Sequence, residues 1–167
     1  MYTLSDFPID TEDLCLDIQH FVLILISKKI TDIQCPFCIK VVLGVYVDLS
    51  DSGLGYGMGF YDENKPLMNA HRLQLQKDAG EFTKIVRETT KEFTLFPKSF
   101  KRMPIPENLP DDIKIWYPLK GFYVEKQIKD FDLLKSPALA DEIIRGYKSL
   151  IPLYRYFESL TPVDEMP

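Results

Sequence analysis

The sequence has few of the residues that build disulfide frameworks and metal sites. Its 167 residues include only three cysteines and two histidines. An odd and small number of cysteines does not form a disulfide framework, so the sequence predicts a reducing, cytoplasmic compartment. The chain also lacks an excess of positive charge. Its net charge of -5 does not fit a protein built around nucleic acid.

Long apolar runs are missing as well. The longest, Phe21 to Ile26, is far shorter than the roughly 20 residues that a membrane-spanning helix needs. The first ten residues contain Asp6 and Asp10 but no lysine or arginine, so they do not match a secretory signal. We therefore expect no membrane partner.

What the chain does contain is typical of a globular protein. Hydrophobic residues make up 46% of it and charged residues 27%, which argues against disorder. Its length fits one domain. We expect a single domain over residues 1–167, with an N-terminal helix and loop in 1–40 and an α+β core in 41–160.

The first half of the chain predicts a helix followed by a β-hairpin. Apolar residues recur at helical spacing after a cap at Asp10 or Thr11, which indicates a helix to about Lys29. The valine-rich stretch 40–48 and the stretch 54–61 are typical of strands, and the turn residues at 51–53 join them. Because the connection is short, we expect this pair to be antiparallel.

The second half predicts three further helices and one strand. Asn64 and Pro66 begin a helix that breaks at Gly80, and a second helix follows. Five prolines between residues 95 and 118 predict a loop, whose apolar side chains must be buried. Residues 119–128 are typical of a strand. Ser136 begins the last helix, which Pro152 should kink or split.

Several of these stretches resemble a known bacterial family. They are Gly55-Tyr-Gly-Met-Gly-Phe-Tyr61, Glu81-Phe-Thr-Lys-Ile-Val86, Leu119-Lys-Gly-Phe-Tyr-Val124, Asp132-Leu-Leu-Lys-Ser-Pro137 and Gly146-Tyr-Lys-Ser-Leu-Ile-Pro-Leu-Tyr-Arg-Tyr-Phe157. In this order they resemble the family catalogued as domain of unknown function 2461, over roughly residues 41–160. The resemblance implies an antiparallel sheet covered by helices. It implies no reaction, because the activity of the family is not established.

The chain departs from the family pattern after its first predicted helix. Members of the family usually carry Arg-x-Tyr-Arg-Asp there, followed by Phe-Ser-Lys-Asp-Lys-Thr-Pro-Tyr-Lys. In this chain Thr31-Asp-Ile-Gln34 and Cys35-Pro-Phe-Cys38 follow Ile30 instead. Any site that the family builds from those Arg and Lys residues is missing, so no functional residue is carried over.

The pair Cys35 and Cys38 has the spacing of a thiol–disulfide site, in which one thiolate attacks and the second resolves the mixed disulfide. The residues after it resemble a strand rather than the helix that would stabilise a thiolate, so two incidental thiols are the competing interpretation. The same pair could supply half of a zinc site. However, Cys15 and His20 point to different faces of the predicted helix. We therefore expect no resident cofactor.

Alternating glycines mark the stretch 53–59. They do not match a phosphate-binding loop, and we expect them to leave one strand face bare while Leu54, Tyr56, Met58 and Phe60 line the other. A ligand could lie on the bare face. The candidate ligand surface comprises Gly55, Gly57, Tyr61, Asp62 and His71.

A basic stretch with interleaved phenylalanines runs from Lys84 to Arg102. This pattern is typical of a surface for single-stranded nucleic acid, and equally of a solvated helix face above buried aromatics. The leading hypothesis is a non-enzymatic binding or interaction protein with an unknown protein or small-molecule ligand. The thiol–disulfide site at Cys35 and Cys38 and weak nucleic-acid binding are the alternatives, and a homodimer is left open.

Overall fold

The computed structural model describes residues 43–50 and 53–164. They form four strands, β1 (Leu43–Ser50), β2 (Gly53–Phe60), β3 (Thr94–Ser99) and β4 (Leu119–Ile128). The helices are α1 (Lys65–Lys77), α2 (Gly80–Thr89), α3 (Asp111–Lys114), α4 (Phe131–Leu134) and α5 (Ala138–Glu158). The helix predicted for the N-terminal segment, the Cys35–Cys38 segment and the turn positions 51–52 lie outside the described residues.

The four strands form one antiparallel sheet in the order β1-β2-β4-β3. In the first pair Leu43 lies opposite Phe60 and Ser50 lies opposite Gly53, so the predicted hairpin is confirmed. Gly53 has a φ of 130°, a conformation that residues with a Cβ rarely adopt. The predicted class, an antiparallel sheet with helices packed on it, is therefore confirmed.

Local signals in the sequence determine where the helices begin. The Asn64 side chain accepts a hydrogen bond from the backbone N–H of Leu67 at 3.2 Å and caps α1. The Ser136 hydroxyl accepts one from the N–H of Ala138, also at 3.2 Å, at the start of α5. Although Pro152 lies inside α5, the helix runs unbroken to Glu158. Of the two outcomes expected at Pro152, a kink or a split, the split does not occur.

The core lies between one face of the sheet and the helices. Leu54, Tyr56, Met58 and Phe60 are all buried, as the alternation in β2 predicts. Helix α5 approaches β2 closely at Gly146, where an added Cβ would overlap the Tyr56 ring. Further aromatic rings fill the rest of this layer: Phe82, Trp116, Phe122, Tyr156 and Phe157.

The segment predicted as a loop contains an unexpected strand. Residues 94–99 form β3 at the edge of the sheet, paired with β4. Pro97 is compatible with this position because an edge strand uses only one side of its backbone for pairing. The expected burial is right for Trp116 and wrong for Phe96 and Ile105, which are 36% and 39% exposed.

A cluster of charged side chains joins β4, α5 and the turn between α2 and β3. The Lys126 ammonium lies 2.8 Å from the Glu92 carboxylate and 2.9 Å from that of Glu142. Arg145 contacts the same two carboxylates. These contacts lower the pKa of both glutamates, with the Lys126 hydrogen bond as the largest cause. The cluster therefore stabilises the fold as long as both carboxylates are ionised.

Candidate functional site

The sheet face opposite the core carries a row of glycines between two rows of side chains. Its floor is the β2 row Gly53, Gly55, Gly57 and Gly59. On one side lie Tyr46 and Asp48 of β1, which pair with Gly57 and Gly55. On the other lie Glu125 and Tyr123 of β4, which pair with Gly57 and Gly59. We call this the outer face. The sequence encodes it through period-two alternation in all three strands.

Tyr46 spans the glycine row. Its hydroxyl donates a hydrogen bond to Glu125 Oε2 at 3.0 Å, although the two residues belong to strands on opposite sides of β2. Because Gly57 carries no side chain, the ring can lie directly over the strand. Burial, followed by the hydrogen bond to Glu125, raises the pKa of the Tyr46 phenol above its usual value. Tyr46 therefore remains a protonated donor at neutral pH.

Glu125 has a second hydrogen-bond donor. The Gln127 side-chain amide donates to Glu125 Oε1 at 3.0 Å. Both carboxylate oxygens thus accept one hydrogen bond each, which holds the group in place on the outer face.

The aromatic rings of the outer face are packed against one another. Phe96 and Tyr123 stack in parallel, with ring centroids 4.6 Å apart and planes 4° apart. Tyr46 meets Tyr123 nearly at right angles, at 6.2 Å and 78°. Such pairs stabilise a sheet, and here they also form a fixed aromatic wall.

A cavity of about 470 Å³ opens beside this wall. Its volume lies within the range that is usual for small-molecule sites. Lys98 closes one end, where its ammonium donates a hydrogen bond to the Tyr61 carbonyl at 2.8 Å. The residues around the cavity are Tyr46, Asp48, Gly59, Phe60, Tyr61, Lys98, Tyr123 and Glu125.

A much smaller polar cavity of about 30 Å³ adjoins the first. Asp48 and Glu125 line both cavities, and Ser50 and Gln127 complete the polar side of the small one. The two carboxylates therefore lie toward the Gly55 end of the glycine row, whereas Lys98 lies toward the Tyr61 end. The large cavity therefore has negative charge at the end near Gly55 and positive charge at the end near Tyr61.

The structure brings together most of the ligand surface predicted from the sequence. Gly55, Gly57 and Tyr61 lie on or next to the outer face. Asp62 follows Tyr61 in the chain, and its carbonyl lies near Gly121 of β4. Sequence reasoning missed Tyr46, Asp48, Lys98, Tyr123 and Glu125. The alternation of Tyr46 and Asp48 in β1 and of Tyr123 and Glu125 in β4 was visible, but the order of the strands was not. Lys98 lies in β3, which the sequence predicted as a loop.

His71 is separate from this surface. It is fully buried in the core, where its Nδ1 lies 3.0 Å from the Tyr156 hydroxyl. Burial, with a smaller contribution from the charge of Arg72, lowers its pKa to about 3. His71 is therefore neutral at physiological pH and packed between helices, neither on the ligand surface nor in solvent.

Arg72, the next residue in the chain, connects α1 to the start of β4. It is also buried, and its guanidinium donates hydrogen bonds to the Leu119 carbonyl at 2.8 Å and the Tyr117 carbonyl at 3.3 Å. These bonds hold the start of β4 against α1.

The basic stretch from Lys84 to Arg102 is distributed over α2, β3 and the adjoining loops. Arg87 pairs with Asp112 at 2.6 Å, and Lys91 pairs with Glu88 at 2.7 Å. Phe93 is buried in the core, while Phe96 stacks on Tyr123. Part of the positive charge is thus neutralised locally. Nucleic-acid binding by this stretch stays a prediction.

The predicted thiol–disulfide or zinc pair, Cys35 and Cys38, lies outside the described residues and also stays a prediction. Among residues 43–50 and 53–164, no group of three or more His, Cys, Asp or Glu side chains is arranged to hold a metal ion. Within the same ranges, no helix has both the length and the apolar character that crossing a bilayer requires.

Comparison with known proteins identifies a family and no individual relative. Neither the curated proteins nor the solved structures include a significant match to the chain. The model of one family, described as "Conserved hypothetical protein (DUF2461)", matches residues 39–156. That stretch contains all four strands and almost all of α5. The resemblance inferred from the glycine, proline and aromatic motifs is confirmed, and the chain belongs to the DUF2461 family of conserved hypothetical proteins.

Proposed function

We propose that the protein is a non-enzymatic binding protein whose small-molecule ligand occupies the large cavity of the outer face. The observation that supports this most is the combination of packed aromatic rings with polar groups around a volume of about 470 Å³. Small-molecule sites typically join an apolar, aromatic surface to a few fixed polar groups. The large cavity, which we call the outer cavity, has both. Tyr46 and Tyr123 supply the aromatic surface, and Glu125 and Lys98 supply the polar groups.

Several contacts favour a site formed before the ligand arrives. The stack of Phe96 on Tyr123 and the hydrogen bond from Tyr46 to Glu125 fix the wall and the carboxylate. All of these side chains stand on strands of one sheet, which holds functional groups more precisely than loops do. A preformed site loses less conformational entropy on binding.

Tyr61 offers a direct test because it lines the cavity and is 77% exposed. Replacing it with alanine removes little packing in the free protein. Phe131 is the matched control, since its ring is 55% exposed and it does not line this cavity. Loss of one aromatic contact in a binding site weakens affinity by about tenfold.

The experiment is a screen of isotope-labelled protein by NMR against a library of amino acids, amines, sugars and nucleosides. We expect at least one compound to shift the amide signals of Gly59, Tyr61 and Tyr123, and to be recovered chemically unchanged. Tyr61→Ala should weaken its binding by about tenfold, and Phe131→Ala should not. The proposal is wrong if no compound shifts these signals at its highest soluble concentration, or if both variants bind equally well.

A further inference from the structure

The charges around the outer cavity are unequal and separated. Two carboxylates, Asp48 and Glu125, face one lysine, Lys98. The Lys98 ammonium already donates a hydrogen bond to the Tyr61 carbonyl, at the end of the cavity away from the carboxylates. An anionic ligand would meet two negative groups and a single, partly engaged cation. The charged groups that line the cavity sum to a negative charge, which favours a cationic ligand. Such a ligand avoids Lys98 if it lies at the end of the cavity near the two carboxylates.

The aromatic residues favour the same sign of charge. Three tyrosines, Tyr46, Tyr61 and Tyr123, line the cavity. The face of an aromatic ring carries partial negative charge and attracts a cation held within about 6 Å of its centroid. Phe96 covers one face of Tyr123, and Tyr46 meets the same ring nearly at right angles. Rings and carboxylates therefore act together on a positive group.

The aromatic lining of the cavity narrows the kind of cation. A primary ammonium carries three N–H donors that each need an acceptor, and the ring faces of Tyr46 and Tyr123 offer none on the side of the aromatic wall. An N-alkylated ammonium instead presents methyl groups to the rings and needs only the field of the carboxylates. Its apolar surface also suits the aromatic wall.

We propose that the ligand of the outer cavity carries an N-alkylated ammonium group, which lies against Tyr46 and Tyr123 beside the Glu125 carboxylate. This inference rests on the proposed function, since it specifies what the same cavity binds. It assigns Glu125 as the group that selects positive charge. Lys98 opposes the cation through like-charge repulsion.

The test uses choline and its neutral isostere 3,3-dimethylbutan-1-ol, in which carbon replaces the quaternary nitrogen. The two molecules share shape and apolar surface, so a difference in affinity reports the charge. Binding is followed by NMR titration of the full chain at low ionic strength, where screening is weak. We expect choline to bind about tenfold more tightly than the isostere.

Two substitutions of opposite expected sign strengthen the test. Glu125→Gln keeps the shape and most hydrogen bonds but removes the charge, and should weaken choline binding by about fivefold while leaving the isostere unchanged. Lys98→Met should tighten choline binding by about twofold to threefold. Lys101→Met, an exposed lysine that does not line the cavity, should change nothing. If Glu125→Gln fails to fold, the sign of the Lys98→Met effect on choline binding still shows whether the cavity selects a cation.

The outcomes separate this inference from the proposed function. If choline and the isostere bind equally, or if Lys98→Met weakens choline binding, the cavity does not select a cation and the inference is overturned. A library compound that still binds at Tyr61 and Tyr123 would then leave the proposed function intact. If neither choline nor the isostere nor any library compound shifts those signals, both proposals fail.

Discussion

The contact between Gly146 and Tyr56 shows how one residue sets the distance between a helix and the sheet. A Cβ at position 146 would lie 2.7 Å from Tyr56 Cζ and still closer to the hydroxyl. The Tyr56 ring has little room to move, because Phe93 and Tyr147 meet it edge-on at 5.7 and 5.5 Å. Gly146 therefore allows α5 to rest on β2.

Gly146→Ala should destabilise the protein even though alanine is the better helix former. The gain in helix propensity is at most about 1 kcal/mol, whereas overpacking a rigid core site costs about 1–3 kcal/mol. We expect a net loss of about 1–2 kcal/mol in the free energy of unfolding, measured by urea denaturation.

Tyr56→Phe provides the control for this prediction. Among the described residues the Tyr56 hydroxyl has no hydrogen-bond partner, so its removal alone should cost little. It also removes the atom nearest to the new Cβ. The loss caused by Gly146→Ala should therefore shrink in the Tyr56→Phe background. Equal losses in the two backgrounds would mean that the overlap with Tyr56 is not the cause.

At the scale of the element, β2 has two glycines in the same row with different constraints. At Gly57 an added Cβ would overlap the Val124 carbonyl, which belongs to the backbone of β4. At Gly55 the nearest atoms belong to the Glu125 carboxylate, 3.2 Å away, where a shift of a few tenths of an ångström relieves the contact and leaves the hydrogen bonds of Glu125 in place. A backbone carbonyl in the middle of a sheet cannot move without loss of strand pairing, whereas a carboxylate at the end of a flexible side chain can shift slightly.

Gly57→Ala should therefore lower the free energy of unfolding by about 3 kcal/mol, while Gly55→Ala should change it by no more than about 1 kcal/mol. Chemical denaturation of the two variants side by side measures the difference. The two substitutions are chemically identical and lie two residues apart in one strand. Comparable stability of both variants would contradict the tight approach of β2 to β4.

Local pattern in the sequence was enough to predict β2, its buried face and the hairpin with β1. It was not enough for β3, because Pro97 is unfavourable in most strands and only pairing with the distant β4 makes residues 94–99 a strand. The same holds for the candidate site: some of its residues follow from local pattern, and others depend on pairing between distant strands. Gly55, Gly57 and Tyr61 were predictable from alternation along β2. Tyr123 and Glu125 join them only because β4 pairs with β2 across the intervening helices, which local spacing does not reveal.

At the scale of the whole molecule, two groups of residues make stability depend on pH, and their effects begin at different pH values. The first is His71, whose pKa falls from its usual value near 6.5 to about 3 in the folded protein. The unfolded chain binds a proton at this residue once the pH drops below about 6.5, while the folded protein does not. The contribution of the neutral, buried His71 to stability is therefore fully present above about pH 6.5 and decreases as the pH falls toward 3.

The second group is the charged cluster around Lys126. The pKa values of Glu92 and Glu142 are lowered in the folded protein, so their contribution is present at neutral pH. It is lost only as the pH falls below the usual glutamate range, near 4.3. Between about pH 6.5 and 5 the glutamates stay ionised in both states. In this range only His71, of these two groups, lowers the free energy of unfolding as the pH decreases.

His71→Gln should therefore flatten the pH dependence between about pH 6.5 and 5, where the charged cluster does not titrate, and should also remove the share of His71 in the slope below pH 5. A fully buried neutral histidine contributes up to about 1.4 kcal/mol per pH unit below its unfolded pKa, and glutamine does not titrate but can still hydrogen-bond Tyr156. Urea denaturation from pH 7.5 to 4 measures both slopes. Glu142→Gln is the complementary control, since it should leave the slope above pH 5 unchanged and reduce the slope below it. An unchanged upper slope in His71→Gln would mean that the buried imidazole takes up a proton without unfolding, and that the core between α1 and α5 admits water.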